Sequence, residues 1–115
     1  LVVTDRFEMS DDAELAVAAH SSLTLYVAKT FDVMGHAALN RSTQDPSKLR
    51  IYMTGHNRDF RVEDNAVVYG VLDNHRGAID VLDDADFFGK LRAEDLYCTG
   101  KIHVDLDCSF DSKDD

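Results

Sequence analysis

The stretch SDDAELAVAAHSSLTLYVAK, residues 10–29, governs the fold expected of this chain. Ser10-Asp11-Asp12-Ala13-Glu14 has the form of a helix start. Asp11 would act as N-cap for free backbone N–H groups, and Glu14 would reach back to complete a capping box. Residues 13–19 are rich in strong helix formers. Leu15, Ala18, Ala19, Ser22, Leu25 or Tyr26, and Lys29 then share one helical face, in a stripe that weakens toward its end. Residues 23–27 also suit a strand, but no turn signal interrupts the chain before Asp32, which favours continued helix.

On the N-terminal side, residues 1–9 alternate loosely and predict a strand. On the other side, residues 40–47, containing Asp45-Pro46, form the clearest loop. From Lys48 the period changes to two. Leu49, Ile51 and Met53 alternate with polar neighbours, as do Phe60 and Val62, and residues 66–72 and 78–82 follow as further strands between Asp, Asn and Gly turns. Such short links between consecutive strands predict an antiparallel meander. Residues 83–91 read as a short helix, acidic at its start and basic at its end. The last strand is expected to be long, residues 96–110, with Leu96, Cys98, Ile102 and Val104 on the apolar side and His103, Asp105 and Asp107 on the wet side. The expected class is therefore α+β: an N-terminal helical region on one face of a mainly antiparallel sheet of about five or six strands.

With 115 residues, 44% hydrophobic, one Pro and six Gly, the chain fits a single globular domain spanning 1–115, with residues 111–115 as a solvated tail. No internal repeat, linker or second domain is expected. The apolar runs are too short for a membrane helix, and no signal-peptide pattern stands at the start. Cys98 and Cys108 fall ten residues apart in the expected strand. That spacing, roughly 33 Å, is beyond disulfide reach, so two thiols and a cytoplasmic location are expected, unless the strand folds back at Thr99 and Gly100.

Charge is the strongest functional signal. Twenty-two acids oppose 12 bases for a net charge of −10, and 18 of the acids are Asp. A chain so acidic is not expected to bind nucleic acid directly and instead fits a basic protein partner. The candidate docking residues are Asp83, Asp84, Asp86, His103, Asp105 and Asp107, a patch able to imitate the phosphates of a nucleic acid. His103, Asp105 and Asp107 also offer an imidazole and two carboxylates at strand spacing, but nothing supplies ligands from a second element. His20, His36, His56 and His75 stand in no metal-binding spacing, no nucleophile elbow occurs, and the glycines are isolated. No catalytic residue, metal or cofactor is therefore expected. The leading expectation is a non-catalytic binding protein of the inhibitor, immunity or antidefence type. The alternatives are a small-ligand binder or acid–base enzyme with a pocket between sheet and helix, and a structural subunit of a larger assembly such as a phage particle; the long 96–110 strand also offers a route to a homo-oligomer.

Overall fold

The computed structural model describes residues 2–55 and 59–103. Its strands are β1 (Val2–Met9), β2 (Glu14–Leu15), β3 (Leu23–Val33), β4 (Ala38–Leu39), β5 (Leu49–Met53), β6 (Asp59–Val62), β7 (Val67–Val81), β8 (Asp86–Cys98) and β9 (Lys101–His103). One short 3-10 turn, Pro46–Lys48, is the sole helical element among the described residues.

Every strand pairing is parallel. Partners lie a full circuit of chain apart, from 15 residues (Phe87 to Ile102) to 29 (Phe31 to Phe60). The chain therefore winds as stacked coils whose ladders close round one core into a small tube of three faces. The first face stacks Leu25, Ile51, Leu72 and Leu91 inward. The second stacks Phe7, Phe31, Phe60, Ile79 and Leu96. The third stacks Leu15, Leu39, Val68, Phe87 and Ile102.

The α+β expectation is thus overturned on both counts. The short links that suggested hairpins are corners of a coil, and they lead to the next face rather than back along the same sheet. Parallel pairing needs a connection of a dozen or more residues, and here the rest of the coil supplies it without a helix. Residues 10–15 turn a corner and start β2, while residues 23–33 are strand. Thr24, Tyr26, Val27, Thr30, Phe31 and Val33 suit a pleated, half-buried surface better than a helix. The short helix expected at 83–91 is a corner followed by β8. The long strand expected at 96–110 ends at Cys98, turns at Thr99 and Gly100, and resumes as β9. The distance argument for the two cysteines loses its straight strand, and Cys108 lies outside the described residues.

A repeat also exists where none was expected. FEMSDDAEL (7–15), FDVMGHAAL (31–39), FRVEDNAVV (60–68) and IDVLDDADF (79–87) occupy equivalent positions in successive coils. In each module the first, third and ninth residues point inward as second-face and third-face stacks. The fifth takes a left-handed conformation at Asp11 (φ 57°), Gly35 (69°), Asp64 (61°) and Asp83 (58°), which turns the corner. Asp and Gly adopt that conformation more readily than other residues. The seventh is always alanine, and Ala37, Ala66 and Ala85 are fully buried.

The core is dry and well stacked. Phe7, Phe31 and Phe60 stack ring on ring, with centroids 4.8 and 4.2 Å apart, and Phe87 meets Phe60 edge-on. Each fully buried Phe, Leu or Ile contributes about 1.5–3 kcal/mol. Sealing is best in the middle coils, whereas Phe7, Leu15, Leu96 and Ile102 of the outer coils are only partly buried. No helix among the described residues is long and apolar enough to cross a membrane.

Candidate functional site

Coil stacking sorts the charges onto two sides of the tube. Outward positions of the second face form the column Glu8, Asp32, Arg61 and Asp80. The corner after it carries Asp11, Asp64 and Asp83 in one column and Asp12 and Asp84 in the next. The corner opposite the first face is thus a wall of carboxylates interrupted at Gly35, His36 and Asn65, with Arg61 bridging to Asp80 at 3.7 Å.

The corner carboxylates are fixed in place by the backbone of neighbouring coils. Asp64 Oδ2 accepts from the Gly35 N–H at 3.0 Å, and Asp83 Oδ2 accepts from the Asp64 N–H at 3.3 Å. The Asp83 N–H in turn donates to Thr99 Oγ1 at 3.1 Å. Carboxylates of Glu63, Asp64 and Asp83 come within 4.8 Å of one another, a spacing that suits a cation as well as it suits solvent. Nearby, burial raises the Asp32 carboxyl above its ordinary value, against the hydrogen bond from Glu63 and the Arg61 charge. Burial and then the negative charges of Asp32 and Asp64 raise Glu63 as well. Asp32 Oδ1 is buried without a hydrogen-bond partner.

The first face has the opposite character. Outward from it stand Thr24, Arg50, Val71 and Lys90 in one column, and Tyr26, Tyr52, Asp73 and Arg92 in another. Tyr26 and Tyr52 stack at 5.3 Å, and Asp73 bonds His75 at 2.9 Å with Arg92 at 3.8 Å. A groove of about 320 Å³ runs past the tyrosines to His75 and Arg76. A larger one, about 740 Å³, opens where the third face meets the first, between Pro46 and Ser47 on one side and Lys90 and His103 on the other. Asn40, buried and left-handed, ties down the loop beside it by donating to the Asp45 and Tyr69 carbonyls at 2.8 and 3.2 Å. Asp45 accepts from the Ser47 hydroxyl and N–H, bonds that hold its carboxyl below the ordinary value.

The sequence-predicted docking residues are divided by this geometry. Asp83 and Asp84 stand in the acidic corner. Asp86 opens β8 on the third face and accepts from His103 Nε2 at 3.0 Å, so these two engage each other. His103 also stacks on Phe88, which stacks on Tyr69, at 4.2 and 4.4 Å. Asp105 and Asp107 lie outside the described residues. Sequence reasoning missed Asp11, Asp64 and Arg50 as site residues. The Asp-x-Ala spacing at 11–13, 64–66 and 83–85 was the signal for the first two.

All-parallel coils about one core define a β-solenoid, whose stability resides in nearest-neighbour stacking. The chain belongs to the family described as Domain of unknown function (DUF7305), whose model matches residues 1–113. No curated protein and no solved structure matches the chain.

Proposed function

We propose that this domain is a non-catalytic binding module that docks its carboxylate wall on a basic protein partner, as an inhibitor or immunity protein does. The observation that carries this reading is the placing of Asp11 and Asp12, Asp64, and Asp83 and Asp84 in the first, third and fourth coils along one corner of the tube, with Asp64 stacked directly on Asp83. Asp64 and Asp83 are already oriented by backbone N–H groups, so docking forfeits little side-chain entropy there. A contiguous field of one sign speeds association with a cationic surface, and that advantage shrinks as salt rises. The pocket between sheet and helix is set aside because no α-helix covers the sheet among the described residues. A cytoplasmic location belongs to this proposal and is checked by fractionating the host cell.

The test uses Asp12→Lys with Asp84→Lys, two exposed residues whose reversal leaves the corner hydrogen bonds intact. Wild-type and variant protein are immobilised in host extract at low salt, and retained proteins are identified by mass spectrometry. A basic protein held by the wild type, released by salt and ignored by the variant supports the reading. Equal retention by both proteins removes the acidic wall from the interface.

A further inference from the structure

We propose that the 740 Å³ groove beside the 40–48 loop binds a small organic anion bearing two or more carboxylate or phosphate groups. Its composition runs against the whole chain. In a protein with net charge −10, the groove is lined by Arg50, Lys90 and His103, with Asp45 as the sole acid. Asp45 is occupied by Ser47, and Asp86, beside the groove, is occupied by His103. Arg50 and Lys90 form no ion pair among the described residues, although acids outnumber bases almost two to one over the chain. Unpaired cations facing a concave space are the arrangement an anion completes.

The shape favours a small molecule. Arg50 and Lys90 stand two rungs apart in one column, with Val71 between them. Two rungs span roughly 10 Å between Cα atoms, within reach of one compact polyanion held by both long side chains. The Arg50 fork matches a carboxylate or phosphate through paired hydrogen bonds, and Lys90 adds a point charge. His103 Nε2 donates to Asp86 Oδ1, and that bond fixes the imidazole ring at the edge of the groove. Val71, Gly89 and Pro46 supply an apolar floor and side. Gly89 keeps the floor open, and the loop edge is pre-formed because Asn40 anchors it. A long polyanion would have to pass the acidic wall, whereas a small one is held on the cationic side alone.

The site lies across the core from the carboxylate wall and is independent of partner docking. The test is a ¹⁵N–¹H NMR titration in low salt and an anion-free buffer, with pyrophosphate in one arm and citrate in the other. Saturable shifts centred on the Ser47, Arg50, Val71, Gly89 and Lys90 amides are expected. The Arg50→Gln/Lys90→Gln variant, altered at two exposed side chains, should bind at least about tenfold more weakly, with the rest of its spectrum unchanged. Tighter binding of pyrophosphate assigns a phosphate ligand, and tighter binding of citrate a carboxylate one. Failure of both probes to saturate, or equal binding by the variant, overturns the proposal.

Discussion

The corner after the second face and the corner before the first face solve the same problem, turning the chain to the next side of a tube, by different means. The former repeats one device: a left-handed Asp or Gly, then an Ala that is buried in all but the first coil, within a nine-residue module without insertion over four coils. The latter is different in nearly every coil. Residues 16–22 and 40–48 are loops, whereas β7 and β8 pass through the corner unbroken at Gly70 and Gly89. A corner held by its own repeated geometry becomes a uniform wall, and a corner free to vary becomes a place to build a groove.

The sharpest way to break the comparison is Gly89→Ala. Gly89 has φ 139°, and a Cβ there would lie 1.8 Å from the Gly70 carbonyl oxygen and 3.0 Å from Pro46. Backbone strain and overpacking together should cost about 3–5 kcal/mol in urea unfolding. Near wild-type stability would mean that the coils do not approach this closely. At the repeated corner, Asp64→Ala should cost about 2 kcal/mol, through left-handed strain and loss of the bond to the Gly35 N–H. Asp64→Gly relieves the strain and should cost under about 1 kcal/mol. If both variants are equally destabilised, the hydrogen bond and not the conformation governs the corner.

The smallest effect distinguishes the charged wall itself. Asp32 and Glu63 both titrate above their ordinary values in the folded protein, so the native state holds these protons more tightly than the unfolded chain. Stability from this pair therefore rises as pH falls from neutral through the raised values, and levels off below the ordinary carboxyl range. The Tm at about pH 5 should exceed that at about pH 7.5, and Asp32→Asn with Glu63→Gln should flatten the difference. A Tm difference unchanged in the double variant would place the source elsewhere.

Much of the strand content was legible. Alternation located β1, β5 and β6 and both halves of β7, and Asp45-Pro46 located the loop between β4 and β5. Their pairing was not legible, because alternation with one wet side looks the same in a hairpin ladder and in a coil. The Ala-rich segment misled: alanine favours helices, but Ala37, Ala66 and Ala85 are selected here for their small volume at a crowded corner. The repeat escaped notice because loops of unequal length separate its copies and its positions tolerate Phe or Ile, Met or Val, Asp or Gly. The acidity was plain, yet the gathering of Asp11, Asp12, Asp64, Asp83 and Asp84 at one corner depends on register, which no count of residues contains. Arg50 and Lys90, 40 positions apart, share a column only because the coils between them have the lengths they do.

The unbroken ladders through the coils have a consequence for how the domain comes apart. Each coil rests only on the ones above and below, so a coil at either end can peel away while the middle holds, but loss of a middle coil severs everything stacked on it. Amide exchange should follow that gradient, slowest at Phe60 and Leu72 and faster toward β1 and β9. The corner carries carboxylates in the first, third and fourth coils, so a partner gripping them at once would act as a clamp, raising the cost of fraying in every coil it spans.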